Sequence, residues 1–142
     1  MSSMSDRTFV DTNVLIYGHD RTAGRKYTIG AALLEELWAT GAGVISIQVL
    51  QEFYVNITEK IRVPIPKARA AIYIERYFLW PVVSPAPSTV LRALEIERRY
   101  QISFWDAMIL SAALQAGVRK LVSEDLNAGH TIEGIRIENP FA

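Results

Sequence analysis

The feature that most constrains this fold is the alternation of short apolar runs with longer helical patterns along the chain. Strands that are joined through helices pair in parallel, and helices then cover both faces of the sheet. We therefore predict an α/β fold, a three-layer sandwich with a central, mostly parallel sheet of about five short strands flanked by helices. The predicted strands lie at residues 8–10, 44–46, 81–83, 121–122 and 135–137.

The helical patterns lie between these strands, at residues 25–40, 48–60, 67–79, 88–100 and 104–116. Ser88 and Ser103 are suited to cap the last two helices, and Gly41 and Gly117 are suited to end the first and the last. No repeat, linker or low-complexity segment divides the chain. We therefore predict a single domain over residues 1–142.

The composition limits the kind of site that the chain can build. There is no cysteine, and His19 and His130 are the two histidines, so neither a thiolate site nor a histidine-rich metal site is expected. A metal would be held mainly by oxygen, which favours Mg²⁺ or Mn²⁺. The formal net charge is zero, which argues against a protein that coats nucleic acid but not against transient binding. Without a membrane span or a signal sequence in the pattern, we expect a cytoplasmic protein.

Four acidic residues, Asp11, Glu52, Asp106 and Asp125, fall where a strand or loop gives way to a helix or within the helix that follows. In parallel sheets, ligands bind outside the carboxyl ends of the strands. Asp11 and Asp125 follow predicted strands, and the helix that carries Glu52 begins directly after another. The pattern therefore predicts that these carboxylates meet at one edge of the sheet.

Each acid also has an ordinary structural interpretation. Asp11 fits a helix N-cap, Glu52 fits a solvated helix face, Asp106 fits a Ser-x-x-Asp capping box, and Asp125 fits a polar turn in which Glu124 is a weaker candidate. Carboxylates that share a site stay ionised together when a cation compensates their charge. The group as a whole therefore favours a metal site, in which a metal-bound water of lowered pKa would attack a phosphodiester bond.

Four segments resemble, in order, the acidic motifs of PIN-domain ribonucleases, and most closely those of the VapC-type toxins of bacterial toxin–antitoxin pairs. The segments are Asp11-Thr12-Asn13-Val14-Leu15, Gln51-Glu52-Phe53, Ser103-Phe104-Trp105-Asp106-Ala107 and Ser123-Glu124-Asp125-Leu126. Each motif is short, but together they extend over essentially the whole chain. The resemblance implies a PIN fold, Mg²⁺- or Mn²⁺-dependent endoribonuclease activity on RNA, homodimerisation and inhibition by a small cognate antitoxin.

The resemblance also assigns roles to individual residues. The catalytic quartet would be Asp11, Glu52, Asp106 and Asp125, with Glu52 reaching the metal directly or through water and the other three acids as direct ligands. Supporting roles fall to Thr12, Asn13 and Ser123. The last motif often has threonine where this chain has Ser123, a change that keeps the hydroxyl group.

The RNA backbone would need cations near the site. Candidates are Arg21, Arg25 and Lys26, which follow the first motif, and Arg98 and Arg99, which precede the third. Each of them also fits an ordinary solvated helix face.

Two further features leave alternatives open. Aromatic residues between 53 and 80 exceed what one helix face requires, so some of them could form a dimer contact or a groove for an antitoxin helix. The alternative to a ribonuclease is a protein without catalytic activity, namely a metal-binding or RNA-binding α/β regulatory module. A receiver domain would need an acid pair ahead of Asp11, and a dehalogenase-like phosphatase would need Asp-x-Asp where this chain has Asp11-Thr12-Asn13.

Overall fold

The computed structural model describes residues 4–126 and 129–142. The strands of the sheet are β1 (Thr8–Val10), β2 (Gly43–Ser46), β3 (Val82–Val83), β4 (Lys120–Val122), β5 (Thr131–Ile132) and β6 (Ile135–Glu138). The α-helices are α1 (Thr12–His19), α2 (Arg25–Thr40), α3 (Ile47–Val55), α4 (Lys67–Tyr77), α5 (Pro87–Tyr100) and α6 (Phe104–Ala116). A π-helix, Asn56–Lys60, continues α3, and a 3₁₀ turn, Met4–Asp6, precedes β1.

In the described part of the chain these strands form one six-stranded sheet in the order β3-β2-β1-β4-β6-β5. All pairings are parallel except that of β5 with β6. Strand β1 is central and fully buried, with Thr8 opposite Gly43 on one side and Lys120 on the other. The predicted α/β fold with a mostly parallel central sheet is confirmed. The sixth strand, β5, was not predicted because its two residues are too short for a pattern.

Most helix ends agree with the sequence pattern, and α6 runs between Ser103 and Gly117 as predicted. The expectation that Ser88 caps α5 is wrong, because the N-cap is Ala86 and Pro87 is the first helical residue. Proline is well suited to that position, since its fixed φ matches the helix and it has no amide hydrogen to satisfy. The hydroxyl of Thr89 accepts the Ala86 amide at 3.0 Å, so a side chain within the first turn replaces the expected cap.

Helix α1 packs closely against α2 near its carboxyl end, and its amino end lies at the sheet edge because α1 directly follows β1. A Cβ atom on Gly30 would lie 2.9 Å from the backbone nitrogen of Gly18, so the two backbones approach more closely than any side chain at Gly30 would allow. In the part of the chain that the structure describes, no helix combines the length and the apolar character needed to cross a membrane.

Candidate active site

The carboxyl ends of β1, β2 and β4 meet at one edge of the sheet, and each leads into polar residues. Asp11 follows β1, Ser46 ends β2 and caps α3, and Ser123 follows β4. The Asp11 amide donates to the Val122 carbonyl at 3.0 Å, which ties the ends of β1 and β4 together. The strand order therefore places residues that are 112 positions apart in the sequence in direct contact.

Asp11 serves as a helix cap and faces the site as well. One carboxylate oxygen accepts the Thr12 amide at 2.7 Å, and the other accepts the Ser123 hydroxyl at 2.7 Å. Only 7% of the residue is exposed. Burial raises its pKa from 3.8 to about 6; the hydrogen bonds from Ser123 and Thr12 oppose this rise, and the charges of Asp106 and Glu52 add to it. The Asp11 carboxyl group therefore ionises less readily than an ordinary aspartate.

Glu52 lies on α3, nearly two turns after the Ser46 cap, whose hydroxyl accepts the Val49 amide at 3.3 Å. Its carboxylate is half-buried and accepts the Thr12 hydroxyl at 2.7 Å. The solvated-face interpretation of this residue is therefore wrong, because the α1 side chain of Thr12 holds it at the sheet edge.

Asp106 lies in the first turn of α6, and its amide donates to the Ser103 hydroxyl at 3.1 Å. This is one half of a capping box. The Asp106 carboxylate lines the same cavity as Asp11 and is near enough to raise the pKa of Asp11. The capping pattern and a place at the site are therefore compatible.

The turn after β4 separates Asp125 from Glu124. Asp125 accepts the Asn13 side-chain amide at 3.2 Å and lines the cavity. Glu124 accepts the Tyr17 hydroxyl at 3.2 Å and forms a salt bridge of 2.5 Å with Lys26. The choice of Asp125 over Glu124 as the site acid therefore agrees with the geometry, and Glu124 instead ties the turn to α1 and α2.

All four acids line one open cavity of about 260 Å³ at the sheet edge. Its lining comprises Asp11, Thr12, Asn13, Ile16, Gln48, Glu52, Asn56, Trp105, Asp106, Ile109 and Asp125. Sequence reasoning did not assign Gln48, Asn56 and Trp105 to the site. Gln48 and Asn56 lie one turn before and after Glu52, so the helical period was a signal that could have found them. Trp105, which is 61% exposed, forms part of the cavity wall beside Asp106.

The donor set of the cavity is suited to a hard divalent cation, because it is made of carboxylate and amide oxygens. Among the described residues, however, no three acidic or histidine side chains stand close enough together to hold a metal ion as they are. Mg²⁺ usually binds one or two carboxylates directly and keeps several waters. The residues therefore fit a hydrated ion better than a closed cage of side chains.

The five predicted RNA-contacting cations lie outside this cavity. Lys26 pairs with Glu124 and lies 4.8 Å from the Tyr17 ring centre. The guanidinium of Arg25 donates to the Phe141 carbonyl at 2.8 Å, and Arg99 pairs with Glu133 at 3.4 Å. Arg21 and Arg98 are exposed.

His19 belongs to an aromatic cluster rather than to the acid cavity. Its Nε2 atom lies 2.7 Å from the Tyr77 hydroxyl, and the rings of Phe53 and Tyr73 pack against it. Burial lowers its pKa from 6.5 to about 4, so the ring is neutral at physiological pH. In the aromatic run, Phe53, Tyr77 and Trp80 are core residues, whereas Phe78 is 55% exposed.

Comparison with known proteins agrees with the fold and the motifs. Residues 8–131 match the family model described as the PIN domain. No curated protein sequence matches the chain.

Among solved structures, the chain is similar to VapC20 of Mycobacterium tuberculosis, a toxin that cleaves the sarcin–ricin loop. The two sequences are 19% identical and the TM-score is 0.64. The match covers 89% of this chain and 97% of VapC20. The chain is similar to a chain of a toxin–antitoxin complex from Klebsiella pneumoniae, with 20% identity, a TM-score of 0.69, and 94% and 97% coverage. A third similar structure is VapBC2 of Rickettsia felis bound to promoter DNA, with 17% identity, a TM-score of 0.64, and 93% and 97% coverage. These likenesses show a shared fold.

Proposed function

The chain belongs to the PIN-domain family, a family of nucleases, and we propose that it is a divalent-metal-dependent endoribonuclease that acts as the toxin of a toxin–antitoxin pair. The observation that carries this proposal is the single cavity lined by Asp11, Glu52, Asp106 and Asp125 at the carboxyl edge of the sheet. Four acids from separate elements, with one of them deeply buried, are costly to hold together unless a cation compensates their charge.

In the proposed mechanism, Asp11, Asp106 and Asp125 would hold Mg²⁺ or Mn²⁺, and Glu52 would bind it directly or through water. When bound, such an ion lowers the pKa of a water and offsets negative charge on the scissile phosphate. The remaining residues orient the carboxylates. Their contacts are those of Thr12 with Glu52, Asn13 with Asp125, and Ser123 with Asp11.

The hydroxyl of Ser123 has a second role in this arrangement. Besides donating to Asp11, it accepts the amides of Asp125 and Leu126 at 3.3 and 3.2 Å. One buried oxygen thus fixes the distance between the β1 acid and the turn that carries Asp125. Such supporting contacts set the direction in which a carboxylate faces a metal.

We also propose a cognate antitoxin and a second copy of the chain as partners, in the cytoplasm. Two similar structures are complexes of a toxin and an antitoxin, and one of them is bound to DNA. Two exposed apolar cavities beside α4 provide candidate contact surfaces. One lies against α3 and includes Tyr54, Val55 and Phe78; the other includes Trp38 and Leu79.

The test is cleavage of a panel of structured RNAs by purified protein, with Mg²⁺, with Mn²⁺ and with EDTA. We expect cleavage that requires a metal and that falls to the EDTA level in Asp11→Asn and Asp106→Asn. Glu95→Gln, which removes an exposed charge on α5, is the matched control and should keep wild-type activity. Cleavage that persists in EDTA and in both site variants would come from a contaminant and would overturn the proposal.

The competing function is a non-catalytic RNA-binding module. It is favoured by the absence, among the described residues, of three acids already spaced to hold a metal. RNA that binds to the protein but stays intact with either metal, across the whole panel, would make this module the better description.

A further inference from the structure

A second cavity, of about 210 Å³, lies at the opposite end of α1 from the acid cavity. It is lined by His19, Asp20, Arg21, Thr22, Ile61, Val63, Pro64, Ile65, Pro66, Arg69 and Tyr73. Asn13 and Ile16 on α1 line the acid cavity, and His19 lines this one. At a rise of 1.5 Å per residue, His19 lies about 4.5 Å beyond Ile16 and about 9 Å beyond Asn13 along α1, so one short extended strand can reach both cavities.

The walls of this second cavity carry two arginines and an aromatic ring. Arg21, which follows α1, and Arg69, in the first turn of α4, are both exposed. Neither makes a salt bridge within the part of the chain that the structure describes. Tyr73 is half-buried beside them. The carboxylate of Asp20 is buried and accepts the amide and hydroxyl of Thr22, so it is already engaged.

The segment that adjoins this cavity, residues 60–69, is positively charged, like the two arginines in the cavity wall. Residues 60–69 include Lys60, Arg62, Lys67 and Arg69 and no acid, although the whole chain has zero formal charge. Helix α4 begins within this segment, has no side-chain cap and has no acid in its first turn. Cations near the amino end of a helix oppose its dipole, so they cost stability there unless an anion is bound.

We propose that this second cavity is a nucleotide subsite for the RNA strand, next to the site of cleavage. The guanidinium groups of Arg21 and Arg69 bind a phosphate, and the Tyr73 ring with the Pro64 and Pro66 surface takes the attached base. Single-stranded nucleic acid is commonly held by this pairing of a cationic groove with an aromatic face. The proposal rests on the nuclease function only for the identity of the strand, because binding can be measured without cleavage.

The test uses fluorescence anisotropy with a labelled single-stranded RNA of about ten nucleotides, in an Asp106→Asn background that prevents cleavage. We expect the double variant Arg21→Ala/Arg69→Ala to weaken binding about tenfold or more. Because a single strand contributes about 0.7 to the salt slope for each phosphate contact, the slope of log Kd against log salt should fall by about 0.7 to 1.4. Arg21→Lys/Arg69→Lys should recover part of both effects.

The matched control is Arg92→Ala/Arg119→Ala, which removes the same charge from two exposed arginines outside the cavity. Arg119 precedes β4, at the edge of the sheet opposite the acids. Equal weakening by both double variants would mean a general charge effect and would overturn the subsite. Unchanged RNA binding by Arg21→Ala/Arg69→Ala would overturn it too, and a loss of polyglutamate binding instead would assign the cavity to an acidic protein segment.

Failure of the subsite and failure of the nuclease function give different results. If the wild-type protein cleaves RNA and the double variant keeps its KM and its Kd for RNA, the subsite is wrong and the nuclease stands. If the wild type cleaves no RNA but the double variant still loses affinity relative to the control, the subsite stands and the nuclease is wrong.

Discussion

Asp11 shows how one residue meets a structural and a chemical demand together. As the N-cap of α1 it accepts a backbone amide, and as a site residue it is held by the hydroxyl of Ser123. The same burial that protects these hydrogen bonds makes the ionised form expensive. A bound cation would relieve this cost, so the pKa of Asp11 should depend on whether a cation is bound at the site.

Removing the Asp11 charge should change how stability depends on pH in EDTA. The folded-state pKa of about 6 lies above the ordinary 3.8, so protonation favours the folded state. The associated stability is complete below about pH 3.8 and is lost as the pH rises through about 6. The difference between the folded-state and ordinary pKa values of Asp11 corresponds to about 3 kcal/mol in the free energy of unfolding. Denaturant unfolding from pH 5 to 8 should show Asp11→Asn gaining on the wild type as the pH rises.

The titration of His19 also makes stability depend on pH, so the wild type has to be compared with Asp11→Asn rather than measured alone. Its folded-state pKa of about 4 lies below the ordinary 6.5, so its contribution is present above pH 6.5 and is lost as the pH falls towards 4. This trend opposes that of Asp11 in the wild type and cancels in the difference between the two proteins. If the difference in free energy of unfolding between the wild type and Asp11→Asn stays constant from pH 5 to 8, the raised pKa of Asp11 is contradicted. At pH 8, Mg²⁺ should stabilise the wild type more than the variant.

Trp105 is the exposed aromatic side chain in the wall of the acid cavity. We expect its ring to stack on a base beside the scissile bond. Trp105→Ala should raise the KM or Kd for RNA by an amount equivalent to about 1 to 3 kcal/mol, and Trp105→Phe should recover part of it. Because 61% of the residue is exposed, thermal unfolding should change little. Equal RNA affinities of the alanine variant and the wild type would show that the ring does not contact the substrate.

At the scale of elements, α1 organises the site from both of its faces. Thr12 holds Glu52 of α3, Asn13 contacts Asp125, and Tyr17 contacts Glu124 in the turn after β4. On the other side, Gly18 packs directly against Gly30 of α2. The position of α1 therefore links the stability of the helix pair to the geometry of the acids.

Gly30→Ala tests this helix contact. In most helix interiors this change stabilises by about 0.5 to 1 kcal/mol, because alanine has the higher helix propensity. Here the new Cβ would lie 2.9 Å from the Gly18 nitrogen, so we expect a net loss of about 1 to 3 kcal/mol in denaturant unfolding. Glu35→Ala on the exposed face of α2 is the control. A Gly30→Ala protein more stable than the wild type would show that the helices can separate without cost.

Over the whole molecule, the zero net charge includes an acidic cavity and a basic segment at different places. Acids gather at the carboxyl edge of the sheet, and the cations of residues 60–69 lie on the path that leads from α3 into α4. An RNA phosphate would be repelled by the acid cavity without a cation and attracted by the neighbouring segment. We therefore expect the metal and the basic cavity to act together, the first at the scissile bond and the second along the strand.

Much of the fold could be read from local patterns, and the exceptions have physical reasons. The five predicted strands and helix α6 appear where the apolar period placed them. The sequence pattern predicted an N-cap at Asp11 but gave no length for the helix that follows, whereas α1 runs from Thr12 to His19 and packs against α2. The end of the α3 pattern forms a π-helix. The sequence did not predict it, because apolar spacing over a short stretch does not distinguish 3.6 residues per turn from a wider turn.

The sequence by itself determined that four acids stand where a strand or loop gives way to a helix or within the helix that follows, since these positions follow from apolar period and turn chemistry. Only the tertiary structure decided that Asp125 rather than Glu124 faces the cavity, that Gln48, Asn56 and Trp105 join its lining, and that Arg21 and Arg69 share a second cavity. A local pattern specifies which way a side chain points along its own element. Which elements become neighbours depends on strand order and helix packing, and these are set by contacts between residues far apart in the chain.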